Sequence, residues 1–447
     1  MREADLIITG AKALLLDAHN TCLEKASVAI RADEIIAVGP AEHVAQQYQA
    51  KKIIRAKDGL IMPGFVNCHT HAAMTCFRGI ADDLDLMVWL NKYIFPAEAK
   101  NVNKELSYWG SLLGIAEMIK SGTTTFCDMY IFEDETARAA KQAGMRCLVG
   151  EVLFDFPSPN LKTPEEGVAY TRMLIEKWKN DPLVNIMIEP HALYTCSKPL
   201  LEEVKQLAQA KRLAEDSRLP IGLHLLENAA ERKQLEEKLG KSAVSFLKEI
   251  GYLDEQFIAF HCVEFSEDDI RLFAEHNCKV SHNPASNMKL ASGVAPVPDM
   301  IKAGIPVGLG TDGCASNNNL DMIKEMGTAA RLHKVARLDP TLMDAQSVVR
   351  MATIEGAKVL GMEKQIGSLE PGKKADVIVL DLNKPHLTPL YNVYSHLVYA
   401  ASGADVDTVV INGQVVMENR RLLTIDEEEV MRKVGEISLK VKQSLNL

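Results

Sequence analysis

Several absences narrow this chain before any motif is read. No apolar run approaches the length of a membrane span. Basic residues are not in surplus: 50 Lys and Arg stand against 60 Asp and Glu, a formal charge of −10. That balance argues against a surface built to coat nucleic acid. The opening Met1-Arg2-Glu3-Ala4-Asp5-Leu6 sets acidic side chains before a short apolar run, so no cleavable signal is expected. Paired cysteine spacing is missing too. The nine cysteines are scattered, with Cys127, Cys147 and Cys262 in apolar runs, and are expected as reduced, buried thiols of a cytoplasmic protein. What remains is a 447-residue chain, 47% hydrophobic and 25% charged, long enough for one large domain and a smaller one.

Between about residues 59 and 365, short apolar runs rich in β-formers alternate with longer amphipathic stretches. The runs are 59–68, 123–128, 146–153, 184–189, 220–226, 257–262, 278–282 and 306–310. Intervening segments such as Lys198 to Glu215 and Asn228 to Lys248 carry helical hydrophobic spacing. Strands buried on both faces and each followed by a helix imply a parallel sheet. Eight such units predict an α/β fold, a (β/α)₈ TIM barrel over residues 58–366, with an open doubly wound sheet as the competing architecture. The ends differ. Residues 1–57 and 367–447 hold short alternating strands, such as Asp5 to Gly10 and Ala375 to Leu380, and are expected to pair into one small β-sandwich domain. The last stretch, Asp426 to Leu447, spaces Val430, Val434, Ile437 and Val441 as a docking helix.

Chemistry gathers where barrel enzymes place it, at the carboxyl ends of these strands. The first run ends Cys68-His69-Thr70-His71. Strand side chains alternate with period two, so both imidazoles point to one face and can grip one divalent ion. The fourth run leads into Glu189-Pro190-His191, the fifth ends His224-Leu225-Leu226-Glu227 and the sixth Phe260-His261-Cys262. The seventh ends His282-Asn283-Pro284 and the eighth Gly310-Thr311-Asp312-Gly313. One buried histidine is ordinarily a hydrogen-bonded core residue. Histidines recurring around one mouth, with an aspartate and a glutamate, point instead to a metal site.

The expected ligands are His69, His71, His224 and Asp312, around one divalent ion with a position open to water. Zinc suits them, and Fe²⁺ tolerates the same set. Such an ion supplies an activated water as nucleophile. Glu227, three residues past His224, is placed as a proton shuttle. His261 either polarises the nucleophile or substrate or serves as a further ligand. His282 is open between a structural hydrogen bond and catalysis.

Three patterns point elsewhere and fail. Gly308-Leu309-Gly310-Thr311-Asp312-Gly313 fits a dinucleotide fingerprint, but it lies on the eighth strand and contains Asp312. Gly367 to Lys374 resembles a phosphate loop, yet Lys374 stands where Ser or Thr is required. His-Glu-x-x-His is absent, as is the Pro-Cys-x-x-Cys half of the cytidine-deaminase signature.

Pro63 to His71, His224 to Glu227, His282 to Asn287, Gly310 to Gly313 and Gly367 to Asp376 together resemble the amidohydrolase superfamily. Within it, Arg78 to Leu84, Trp89, Pro96-Ala97-Glu98 and Thr311 to Asn318 are similar to the 5-methylthioadenosine/S-adenosylhomocysteine deaminases. The resemblance implies a metal-dependent hydrolytic deaminase of adenine nucleosides: 5-methylthioadenosine, S-adenosylhomocysteine, adenosine or 5′-deoxyadenosine. It further implies that Glu227 protonates purine nitrogen 1, that Asp312 takes the water's proton and that His261 steadies the developing oxyanion. Trp89, Glu98, His191 and Ser316 would contact substrate, Glu98 through the ribose hydroxyls. No lysine occurs in 184–189, so a carbamylated lysine bridging two metals is not expected. Relatives that accept S-adenosylhomocysteine carry an arginine after the third strand. Here Glu151 or Asp155 would repel its carboxylate, with Arg172 as a substitute cation. The alternative is a deaminase or chlorohydrolase of guanine, pterins or s-triazines on the same metal site. The expected partner is a small nucleoside, not nucleic acid or membrane, and a homo-oligomer follows only by analogy with other barrel enzymes.

Overall fold

The computed structural model describes residues 1–215 and 219–445, with the side chains of 210–218 outside the description. Its centre is an α/β fold of two parallel sheets. In the first, Phe65–Thr70, Thr123–Tyr130 and Arg146–Leu153 run side by side, and Val184–Ile186 and Glu189–Pro190 both pair with the last of these. The second holds Ile221–Leu225, Phe257–His261, Lys279–His282 and Val307–Leu309. These strands are buried along almost their whole length, which is why their sequences read as continuous apolar runs. Parallel bridges Ile188 to Ile221 and Ala192 to His224 join the sheets on one side. On the other, the Asp312 N–H donates to the His69 carbonyl at 2.9 Å. There the Asn67 amide also bonds Thr311 twice, Nδ2 to Oγ1 at 2.7 Å and Oδ1 from the backbone N–H at 3.0 Å.

The glycines of the false dinucleotide fingerprint gain a physical reason at this seam. A Cβ on Gly308 would stand 2.5 Å from Cys68 Sγ, one on Gly310 2.9 Å from His69 Cβ, and one on Gly313 3.0 Å from His71 Cβ. Side chains there would push the eighth strand away from the His-x-His strand, so the pattern serves close approach rather than a pyrophosphate.

Two expectations about elements need correcting. Residues 59–68 form two strands, not one. Leu60–Pro63 belongs to the terminal sheet, and Phe65–Thr70 opens the parallel one. Gly64 is the hinge, where any Cβ would meet Thr124 Oγ1 at 2.1 Å. Likewise Asn228 to Lys248 is two helices, Ala229–Leu239 and Ala243–Glu249, because Gly240 ends the first with a φ of +67°.

Both chain ends enter a single nine-stranded sheet. Leu60–Pro63 is its seam, pairing parallel to Lys12-Ala13 and antiparallel to Val377–Leu380. The helix Glu427–Leu445 docks through Val430, Val434, Ile437 and Val441, as its spacing predicts, and residues 446–447 lie outside the described chain. Among the described residues, no helix is long and apolar enough to cross a membrane. All nine cysteines are free, and every one but Cys22 is buried.

Candidate active site

His69 and His71 leave the first parallel strand on one face, as period two requires, with ring centroids 4.7 Å apart. His224 comes from the end of the fifth strand, 4.8 Å from the His69 ring, and His261 from the sixth, 5.4 Å from His224. Asp312 closes the ring from the eighth, its Oδ1 3.1 Å from His71 Nε2 and 3.5 Å from His69 Nε2. The donor atoms fall into two overlapping groups, His69–His71–Asp312 and His69–His224–His261, each within 4.8 Å.

The donor chemistry fits a divalent ion. His69 is fully buried and neither ring nitrogen finds a hydrogen-bond partner among the described residues, a cost that a coordinated cation would remove. Burial pulls its imidazole down to about 3, and His224 falls well below the usual range for the same reason, so both are neutral and able to ligate. At His71 burial also disfavours charge, but the Asp312 carboxylate and the Met129 carbonyl outweigh it and hold the ring up at about 9. The ring orientations are set from outside. His224 Nδ1 meets the His191 carbonyl at 3.0 Å, and His261 Nδ1 meets Asn287 Oδ1 at 2.8 Å. Each of these rings therefore keeps its Nε2 for the centre of the site.

Glu227 is buried, and loss of water raises its carboxyl above the ordinary range despite the attraction of His261, whose Nε2 lies 3.9 Å away. Its backbone is held by Glu231, which accepts the N–H groups of Leu226 at 3.0 Å and Glu227 at 2.7 Å. Leu226, His261, Cys262 and Asp312 all adopt left-handed backbone conformations, with φ between 50° and 70°. Such strain at non-glycine residues is held only where surrounding contacts enforce it.

His71, His224, His261, Asp312 and Glu227 open into one cavity, whose remaining walls are largely apolar. Trp89, Glu98 and His191 all line it. Trp89 and Glu98 arrive on the segment after the first strand: Trp89 opens a wide π-type turn over Trp89–Ile94, and Glu98 lies on the helix Phe95–Asn101. Burial pushes Glu98 up to about 7, and the Tyr130 hydroxyl donates to its Oε1 at 2.7 Å. The Trp89 indole N–H is buried and has no partner among the described residues.

Three other sequence readings change. Ser316 is not in the cavity wall. Its hydroxyl donates instead to Asp312 Oδ2 at 2.9 Å. His282 does not line the cavity, and its Nε2 lies 3.0 Å from His333 Nε2, a contact that fits the structural one of its two readings. Glu151 repels nothing in the cavity. Its carboxyl is consumed by the N–H groups of Phe132 at 3.2 Å and Glu133 at 2.9 Å, the start of helix Glu133–Ala143, and by Asn160 at 2.7 Å. Asp155 is engaged by Ser197 and Arg172 is exposed, both away from the lining. Sequence reasoning also passed over Tyr130, Glu231, Ser286 and Asn287. The run His282 to Asn287 was the signal for the last two.

An amidohydrolase family model matches residues 60–416, and the chain belongs to that family. It is 61% identical over 445 residues to the 5-methylthioadenosine/S-adenosylhomocysteine deaminase 1 of Syntrophus aciditrophicus (strain SB), covering 100% of this chain and 99% of that one. Over 432 residues it is 45% identical to a 5′-deoxyadenosine deaminase of Methanosarcina acetivorans, covering 96% of each. Among solved structures, an adenosine deaminase from Xanthomonas campestris with bound zinc superposes with a TM-score of 0.96 at 37% identity, covering 99% of both chains.

Proposed function

We propose that this chain is a metal-dependent aminohydrolase that converts adenine nucleosides to the inosine analogue and ammonia. The observation that carries the reading is a single cavity lined by His71, His224, Asp312, a raised Glu227 and a buried Glu98. One divalent ion, zinc by preference over iron, is held by His69, His71, His224 and Asp312, and when bound it supplies an activated water. The protein does the rest. Glu227 keeps its proton because it is desolvated, and delivers it to purine nitrogen 1 as water adds at carbon 6. Asp312 accepts one of the water's protons and passes it to the departing amine, and the other returns to Glu227 as the carbonyl at carbon 6 forms. His261, fixed by Asn287, donates to the developing oxyanion. Glu98 receives the ribose hydroxyls, with Trp89 and His191 as further walls.

The 5′ end of the substrate meets Phe95, Val152 and Phe154, and among the described residues no lysine or arginine lines the cavity. This supports methylthio- and deoxy-nucleosides over S-adenosylhomocysteine, whose charged amino-acid group would lie without a counter-ion. The reading of the fold goes with it. The two parallel sheets form one closed (β/α)₈ barrel, supported by the bridges at Ile188 and Ala192 and the Asp312–His69 bond. The terminal sheet curls into a sandwich, supported by Ile30 and Val410 sharing one core. The small domain then comprises residues 1–63 and the part after 366, with the earlier 57/58 division moved to Pro63-Gly64. A cytoplasmic setting accords with the buried free thiols.

Ammonia release by zinc-loaded protein tests this across adenosine, 5-methylthioadenosine, 5′-deoxyadenosine, S-adenosylhomocysteine, guanine and s-triazines. Turnover of the neutral adenine nucleosides is expected. Activity confined to a free base or triazine would refute both the reaction and the role of Glu98.

A further inference from the structure

The two oxygens of Asp312 have different neighbours. Oδ1 faces His71 and His69 and takes the Gly313 N–H at 2.8 Å. Oδ2 accepts the hydroxyls of Ser286 at 2.6 Å and Ser316 at 2.9 Å. The serines belong to different segments: Ser286 to the helix Pro284–Lys289 after the seventh strand, Ser316 to the loop after the eighth.

One side chain behind the site reaches both. Glu325, on the helix Met322–Arg337, is fully buried. Its Oε2 accepts the backbone N–H of Ala285, next to Ser286, at 3.3 Å. Its Oε1 accepts the Asn317 amide, next to Ser316, at 2.5 Å. The same Asn317 nitrogen donates to the carbonyl of Thr311, the residue before Asp312, at 2.7 Å. Burial raises the Glu325 carboxyl to about 8, yet both of its oxygens accept, so one group fixes the spacing between the two segments.

We propose that Glu325 is a positioning residue for Asp312, bracketing the loops that carry Ser286 and Ser316 so that both hydroxyls stay on Oδ2 and leave Oδ1 to the metal-binding histidines. The inference rests on the reading of Asp312 as ligand and proton acceptor. Glu325 touches no reacting atom; it acts through Ala285 and Asn317.

The bracket is tested by Glu325→Gln, which keeps volume but replaces one acceptor with an amide that opposes an N–H. On the zinc-loaded enzyme, kcat should fall about tenfold with KM within about twofold, and zinc should be lost to a chelator about tenfold faster, as expected for a group that orients a ligand. In a Ser286→Ala/Ser316→Ala background, Glu325→Gln should add no more than about a twofold further change in either readout. A full additional tenfold loss in that background would overturn the proposal, as would wild-type zinc retention and kcat in folded Glu325→Gln. Asn317→Ala, which cuts one arm and leaves Glu325 in place, goes through the same cycle with the same criteria if Glu325→Gln does not fold. Zinc release needs no substrate, so it reports on the bracket even where the deaminase reading fails.

Discussion

The two ends of the parallel strands obey opposite rules. At the amino end, Arg146 is almost wholly buried and every arm is satisfied. Nε and Nη2 bond the Asp376 carboxylate at 2.9 and 3.1 Å, Nη1 bonds the Pro182 carbonyl at 3.0 Å, and Nη2 also reaches Asn412 at 3.1 Å. The pair ties the parallel sheet to the terminal sheet. At the carboxyl end strands of the same sheets finish in left-handed backbone, a His69 without a hydrogen-bond partner among the described residues, and buried carboxyls held above their ordinary range. One end spends polar groups on cohesion. The other holds strain and unsatisfied donors that only a cation and a substrate would relieve.

Stripping the metal should break this contrast most severely. Chelation is expected to abolish ammonia release and zinc to restore it, while far-UV circular dichroism stays native, since the amino end needs no ion. Loss of secondary structure with the metal would make the ion a folding element instead. Next in size is Glu227→Gln, for which we expect kcat to fall about a thousandfold. Zinc content by atomic absorption should not change if Glu227 acts as the proposed proton donor and not as a ligand. Full activity in that variant would end its role as proton donor.

Arg146→Met probes the opposite end. Leaving Asp376 buried and unpaired should cost about 3 kcal/mol in denaturant unfolding, yet kcat per folded molecule should be unchanged. Pairing it with Asp376→Leu should recover most of that loss, because two apolar groups leave no charge stranded. A drop in kcat for the single variant would show that the two ends are coupled.

The sequence carries the carboxyl end better than its connections. His69, His71, His224, Asp312 and Glu227 were legible because strand periodicity and strand ends fix where such side chains point. Trp89 and Glu98 were legible only through resemblance, since the segment bearing them has no period of its own. The destination of Glu151 was hidden: a carboxyl near the end of a strand looks like a cavity wall until the N–H groups of Phe132 and Glu133 arrive from another element. Ser316 was misread for the same reason, its partner being Asp312 and not the cavity. Gly308, Gly310 and Gly313 imitated a nucleotide loop because close approach to a strand and close approach to a phosphate ask for the same residue.

The mildest test sharpens the comparison through pH. Glu98 has its carboxyl raised by burial to about 7, and Glu231, also buried at this end, to about 8. In both, the folded state binds its proton more tightly than the unfolded chain does. Their contribution to stability is therefore complete below the unfolded value near 4.5 and declines as pH rises, through about 7 for Glu98 and about 8 for Glu231. Glu98→Gln removes one of these titrations without changing shape. Zinc-saturated Glu98→Gln should accordingly lose about 2.5 kcal/mol less stability than wild type between pH 5 and 8. Equal slopes for wild type and Glu98→Gln would mean that the Glu98 carboxyl is already ionised at pH 5 and that water reaches it, so burial would not be what tunes the carboxyl end.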